Sequence, residues 1–333
     1  DRSPSRGLGD VYKRQDLGSK RKREDGELES DRWVESVRRT AGFAAAPDVH
    51  CVRVADREGD FYEYLCELRD RGFGFVVRAS QNRRLEDEVT GKRCGRLLTE
   101  AREAPALGTF TVHLRKRASR PAREAVLSVS ALNNVLIQSP QRPGVGQGSL
   151  APLRVSVVRV WEEDTQGDIK EPLEWILLSS KAAESFEQAR EIGLYYSSRW
   201  IIEEFHKALK TGMGAERLQL EHGERLMAAI SLMSVLALRL VDMRERVRLV
   251  PDAPALGNGY DETELEILRA TIGGTIHTIR EAMRATAKLG GFLGRKGDGE
   301  PGMITLWRGT PVSYTHLRAH ETDSYLVCRL LLE

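Results

Sequence analysis

The chain has 333 residues, of which 41% are hydrophobic, 30% charged and 6% aromatic, enough apolar material for one large domain or two smaller ones. Its 51 Lys+Arg stand against 49 Asp+Glu, a net charge of +2, which excludes a disordered acidic or basic tail. The four cysteines, at 51, 66, 94 and 328, form no CxxC pair, so a disulfide scaffold and a cysteine zinc site are excluded and a reducing compartment is expected.

Asp16–Ser30 is charged and Gly-bearing, including Lys20–Arg23, and reads as a solvated linker. Asp31–Thr40 is expected to be a short amphipathic helix with Trp33, Val34 and Val37 on one side. His50–Ala55 reads as a buried strand ending at Asp56, Phe61–Arg69 as a helix and Phe73–Arg78 as a second strand. This strand–helix–strand rhythm points to an α/β layer.

Thr109–Arg115, Ala125–Ser130, Val135–Gln138 and Arg154–Val160 are β-rich and separated by Gly, Pro and Asn turns, with a loop at 141–149. The stretch 83–165 therefore reads as an antiparallel β insertion. Glu174–Ser179 returns to a buried-strand pattern. Helices are expected at about 182–191, 195–210, 223–248 and 261–289, from the apolar periodicity. The longest apolar run, Leu226–Leu238, falls short of the roughly 18 residues of a membrane span. It is followed by Arg239 and reads as a buried helix. With no secretory signal read, a cytoplasmic chain without membrane contact is expected.

Tyr195–Glu221 (YYSSRWIIEEFHKALKTGMGAERLQLE) carries the densest chemistry. At about 100° per residue, Tyr196, Arg199, Glu203 and Lys210 project within about 60° of one another, with Lys207 nearby. A carboxylate flanked by cations can hold a divalent ion while the cations grip phosphates. The same pattern also fits an exposed helix with ordinary i,i+4 pairs such as Glu203–Lys207. The other piece is VADREGD at 54–60. A carboxylate at the end of a buried strand sits where α/β sheets present ligand-binding groups, although Asp56 also suits a helix cap.

Together these pieces resemble the insertion-sequence-4 family of bacterial DDE transposases, in particular its transposon-five branch. The signature Y-x2-R-x3-E-x6-K is met by Tyr196, Arg199, Glu203 and Lys210, and VADREGDFYEYL resembles the segment of that family's second catalytic Asp. VVRAS at 76–80, EWILLSS at 174–180 and LGGF at 289–292 follow in order. The resemblance runs from about Ser30 to Trp307. It implies a ribonuclease-H-like α/β core with the β insertion between the second Asp and the Glu, followed by helices. It also implies that Asp56 and Glu203 are catalytic and bind metal, two Mg²⁺ ions in a complete site, with Mn²⁺ as substitute. Tyr196, Arg199, Lys207, Lys210 and Arg78 would contact DNA phosphates, and Trp175 would stack on a flipped base, its alternative being a core strand Trp. The partners implied are double-stranded DNA at transposon ends, target DNA and a second copy in a synaptic homodimer, in a nucleoid-associated cytoplasmic protein.

Both ends read as foreign to this pattern. One DNA stretch encodes SRGLGDVYKRQ at 5–15, and its reverse complement in another frame encodes PVSYTHLRAHET at 311–322. Such a pair resembles a sequencing adapter, the other reading being a genuine inverted repeat of a mobile element. The expected division is 1–15 adapter-like, 16–82 partial core, 83–165 insertion, 166–250 remainder of the core, 251–311 start of a helical C-terminal region, and 312–333 adapter-like. The family's first catalytic Asp has no counterpart on a matching strand: Asp16, Asp25, Asp31 and Asp48 fall in the linker, at a helix start or in a loop. An inactive fragment is therefore expected. The alternatives are a truncated regulator that binds ends or forms inactive dimers, and an unrelated nuclease on the same fold.

Overall fold

The computed structural model describes residues 29–44, 49–114, 123–140, 151–163, 172–310 and 312. The readings of the 5–15 and 313–333 ends, the 16–28 linker, Asp48, residues 115–122 of the basic stretch RKRASRPAR at 115–123 (read from the sequence as a phosphate contact or a solvated hairpin tip) and the 141–149 loop fall outside them. Two compact units divide between Arg199 and Trp200.

The first unit is built on one eight-stranded sheet. Its elements are α1 (Glu29–Arg39), α2 (Ala41–Ala44), β1 (Val52–Ala55), a 3-10 turn (Arg57–Gly59), α3 (Tyr62–Asp70), β2 (Gly74–Arg78), β3 (Arg84–Glu86) and β4 (Arg93–Arg96). They continue with α4 (Leu97–Glu103), β5 (Gly108–Leu114), β6 (Arg123–Ile137), β7 (Leu153–Glu162), β8 (Glu174–Ser179) and α5 (Phe186–Ser197). The strand order is β1-β2-β8-β7-β6-β3-β4, with β5 also on β6. β1 and β2 are parallel, with Ala55 opposite Val77, and α3 is the crossover that a parallel pair requires. The remaining pairs are antiparallel. β1 has one partner strand among the described residues, so its outer edge is open there.

Both faces of the sheet are covered. Phe75 and Val77 of β2 face a core that α1, α3 and α4 close with Val37, Leu65, Leu68 and Leu97. Val76, between them, faces the opposite core, which α5 closes with Ala189, Ile192 and Tyr196. Full burial of each such aliphatic or aromatic side chain stabilises by about 1.5–3 kcal/mol.

β6 departs from the two strands expected at Ala125–Ser130 and Val135–Gln138. It is one strand of 15 residues with an irregularity between Leu132 and Val135. Pairing shifts from Leu132↔Val157 to Val135↔Val155, so β6 spends one extra residue there. That slip reverses its faces. Leu127 and Val129 lie in the second core, whereas Ile137, of the same parity, lies in the first. Asn134 takes φ 54°, a conformation Asn tolerates. Asn133 secures the kink: its Oδ1 accepts from Ser156 Oγ at 3.0 Å and Ala183 N at 2.8 Å, and its Nδ2 donates to Ala183 O at 2.7 Å. The 83–165 stretch also holds α4 and the β3–β4 hairpin, so it is not purely β, and its strands extend the main sheet.

The second unit is helical. It comprises α6 (Ile201–Lys207), a π turn (Ala208–Gly212), a 3-10 turn (Ala215–Arg217), α7 (Gly223–Leu249), α8 (Glu262–Ile272), α9 (Ile279–Leu289) and a helical stretch over 303–310. The single helix expected at 261–289 is two. Gly273 and Gly274 adopt φ 79° and 88°, which end α8, and the Thr278/Glu281 capping box starts α9. α9 and the 303–310 stretch touch backbone to backbone: a Cβ on Gly290 would lie 1.8 Å from Thr305 O, and one on Gly309 1.8 Å from Thr286 O.

The expectation that Leu226–Leu238 is buried is corrected. Met227, Leu232, Val235 and Leu238 are all at least 60% exposed. Core contacts come from the C-terminal part of α7, where Ala237, Leu240, Val241, Met243 and Val247 are buried. By length and composition α7 is apolar enough to cross a membrane, although the uninterrupted apolar run in the sequence is shorter than a span.

Candidate functional site

Asp56 stands at the C-terminal end of β1, as the strand pattern required. Its Oδ1 accepts from Glu58 N at 3.1 Å and caps the 3-10 turn, so the capping role also holds, though the following α-helix begins only at Tyr62. The second oxygen points to Arg199 Nη1 at 3.9 Å, and the side chain is 42% exposed. This carboxylate is therefore accessible, with one edge held by backbone and the other beside a guanidinium. The turn is tight because residue 59 is Gly: a Cβ there would lie 2.7 Å from Ala55 Cβ.

Four residues on, Asp60 has the opposite environment. Its side chain is fully buried and paired with Arg83. Oδ2 also accepts from Ser80 N at 2.6 Å, Ser80 Oγ at 3.1 Å and Gln81 N at 3.0 Å. The backbone oxygen of Asp60 accepts from Arg83 Nη2 at 2.8 Å and Gln81 Nε2 at 3.0 Å. These bonds tie the segment after β1 to the segment after β2, the two loops at the C-terminal ends of the parallel strands. Sequence reasoning missed this clamp. The only signal was a second Asp in VADREGD, and nothing in the pattern separates a buried acid from an exposed one.

Arg78 lies one step beyond the Ala55–Val77 pair, level with Asp56 on the adjacent strand, and its Nη2 donates to Glu174 O at 3.0 Å. Trp175 of β8 is half-buried, and its ring meets Tyr196 edge-on at a centroid distance of 5.0 Å. Next to it, the Glu174 carboxylate bonds Arg102 and Arg159. The hydrogen bond from Arg102 leads the causes that hold its acid below the ordinary range.

The stripe expected along Tyr196–Lys210 is corrected, because this segment is not one α-helix. α5 ends at Ser197, a 3-10 turn covers Ser198–Trp200, α6 runs from Ile201 to Lys207, and the π turn follows. Each change alters the residues per turn, so a 100° step does not carry through. Ser197 and Ser198 both bond Leu194 O, at 2.7 and 3.3 Å, and so compete with the continuing helix. Tyr196 is 5% exposed in the second core of the sheet, and Arg199 ends the first unit. Glu203, Lys207 and Lys210 belong to the second unit. Glu203 and Lys207 are exposed on α6, one helical turn and a little apart, and Lys210 pairs with Glu216 at 3.3 Å. The neighbouring Glu204 is taken up by Arg244 at 2.5 Å. Gly212 closes the π turn against Trp307, whose ring comes within 2.0 Å of where a Cβ would sit.

Among the described residues the donor set for the implied metal is incomplete. Asp56 is an accessible carboxylate at the end of β1, and Glu203 is the one that the spacing assigns from α6. Among the described residues no three His, Cys, Asp or Glu side chains gather closely enough to hold a metal ion.

Two family models match the chain. The transposase DDE domain matches residues 14–240, and the transposase Tn5 dimerisation domain matches residues 236–318, beginning inside α7. The first match contains every site residue read from the sequence, and the two matches together reach into both units. The chain belongs to the DDE transposases of the insertion-sequence-4 and Tn5 type, with their ribonuclease-H-like mixed α/β fold.

Proposed function

We propose that this chain carries the DNA-cutting part of an insertion-sequence transposase, with Asp56 and Glu203 as two of its metal-binding carboxylates. The observation that carries the reading is the accessible Asp56 at the C-terminal end of a parallel strand, 3.9 Å from Arg199, within a matched transposase DDE domain. DDE transposases use divalent metal ions. Mg²⁺ is the expected ion, because hard carboxylate and phosphate oxygens suit it and Mn²⁺ replaces it readily. In an enzyme with the full carboxylate set, two such ions would support strand hydrolysis, hairpin formation and strand transfer by in-line displacement.

The chain's own residues then have distinct tasks. Arg199 offsets the charge of Asp56 and, once a phosphate enters, presents a planar donor to it. Arg78 offers a second guanidinium at the same level of the sheet. Lys207 and Lys210 supply point charges to the DNA backbone, Lys210 exchanging Glu216 for a phosphate. Trp175, half-buried against Tyr196, would stack on an extruded base with its free face. The dimerisation match supports a second copy as partner in the DNA complex.

The incomplete donor set favours a further reading for this chain of 333 residues by itself: it binds duplex DNA without cutting it. Supercoiled plasmid incubated with the purified chain and Mg²⁺ or Mn²⁺ tests both parts. Retarded but intact plasmid is expected. Nicking that vanishes in Asp56→Asn and Glu203→Gln would overturn the inactivity, and absence of DNA binding would overturn the transposase reading of the site.

A further inference from the structure

The β3–β4 hairpin concentrates positive charge that the site above does not use. Arg84 and Arg96 are direct partners in the antiparallel register, and Arg93 stands opposite Glu86. Leu85, between Arg84 and Glu86, is buried in the first core, which turns Arg84 and Arg96 outward together. Like charges placed directly opposite each other destabilise a strand pair unless something lies between them.

Nothing acidic among the described residues does so. No ion pair joins Arg84, Arg93 or Arg96 to a carboxylate there, and the one bond of Arg96 goes to Asn82 O at 3.4 Å. The two acids that follow Glu86 are engaged elsewhere. Asp87 accepts from Thr90 N and Oγ1, both at 2.8 Å, and Glu88 pairs with Arg154 at 2.5 Å. Glu86 forms no ion pair with the Arg93 opposite it, and buried Asp60 is held by Arg83. The three exposed arginines line an open groove of about 400 Å³, and the amides of Asn82 and Gln138 stand on its walls.

We propose that this groove seats the sugar-phosphate backbone of a DNA duplex, with Arg84, Arg93 and Arg96 each on a phosphate. A guanidinium fork matches a phosphate in two hydrogen bonds, and an anion between Arg84 and Arg96 removes their mutual repulsion. The groove presents three guanidinium forks suited to phosphates, so it positions the duplex without reading its sequence. The inference rests on the proposed DNA substrate and adds a contact surface on the far edge of the sheet from β1.

The test is fluorescence anisotropy of a labelled random-sequence duplex, titrated over a series of salt concentrations. It compares the wild-type chain with the triple variants Arg84→Gln/Arg93→Gln/Arg96→Gln and Arg84→Lys/Arg93→Lys/Arg96→Lys. Each phosphate contact contributes about 0.9 to the slope of log K against log salt, so the Gln variant should lose about 2–3 from that slope. The Lys variant should keep it. A Gln variant that melts like wild type and retains the full slope overturns the groove while leaving the transposase reading intact. A wild-type chain with no salt-dependent duplex binding removes both.

Discussion

Substitution of Asp60 by Asn should destabilise the first unit more than any other single isosteric change near the site. The Asp60 side chain is fully buried and its partner Arg83 is 8% exposed. Three further donors, Ser80 N, Ser80 Oγ and Gln81 N, converge on the same carboxylate oxygen. Asn keeps the volume but removes the charge, so the Arg83 guanidinium stays in a protein environment without its counter-ion. Breaking a buried pair from one side costs about 3–5 kcal/mol. For a unit of this size that corresponds to about 10 °C in melting temperature, at about 2–4 °C per kcal/mol. Differential scanning calorimetry reads the shift, and hydrogen exchange at the Ser80 and Gln81 amides reports whether the loops have parted. The double variant Asp60→Asn/Arg83→Met should recover part of the loss, since no uncompensated charge remains. A shift below about 1 kcal/mol for Asp60→Asn, the size of an ordinary surface pair, would refute the clamp.

Other outcomes follow from the same geometry. Gly59→Ala puts a methyl 2.7 Å from Ala55 Cβ. It should cost about 1–3 kcal/mol by overpacking, seen as a lower urea midpoint, and should shift the turn that carries Asp56. Gly212→Ala drives a methyl into the Trp307 ring and should red-shift and quench Trp fluorescence as that ring is displaced; an unchanged spectrum would count against the close packing of the π turn. The Glu174 acid is held below its ordinary value of 4.5, chiefly by the Arg102 hydrogen bond. Its folded value is depressed, so the stability it contributes is present above about pH 4.5 and is lost as pH falls through the lower folded value. An acid titration of Arg102→Gln should show a shallower loss of stability below that pH than the parent chain, and parallel curves would contradict the pairing.

Much of the site was legible from local pattern. The strand before Asp56 and the helix after it gave a strand–helix–strand unit, whose parallel register, not itself legible, brings Arg78 level with Asp56. What local pattern could not give was continuity. Tyr196–Lys210 has helical apolar spacing throughout, yet a 3-10 turn follows Ser197 and a π turn begins at Ala208, so a uniform 100° step does not carry along it. β3 and β4 went unseen because RLE and RCGR offer almost no apolar alternation, and their pairing depends on β6 far along the chain. Asn133–Asn134 looked like a turn between two strands, where it is a kink within one, stapled by Ser156 and Ala183. The exposed side of α7 was unreadable because apolar composition says that a helix seeks a cover, not where that cover comes from.

The proposed joint role of Asp56 and Glu203 is tested most directly by replacing Mg²⁺ with Fe²⁺, adding ascorbate and hydrogen peroxide, and mapping the oxidative backbone cuts by mass spectrometry. A metal ion held by both carboxylates cuts the chain beside residue 56 and beside residue 203, with excess Mg²⁺ suppressing both cuts and Asp56→Asn abolishing both. Cuts at one position only, or cuts at Glu203 that persist in Asp56→Asn, would show that the two carboxylates do not share a metal ion.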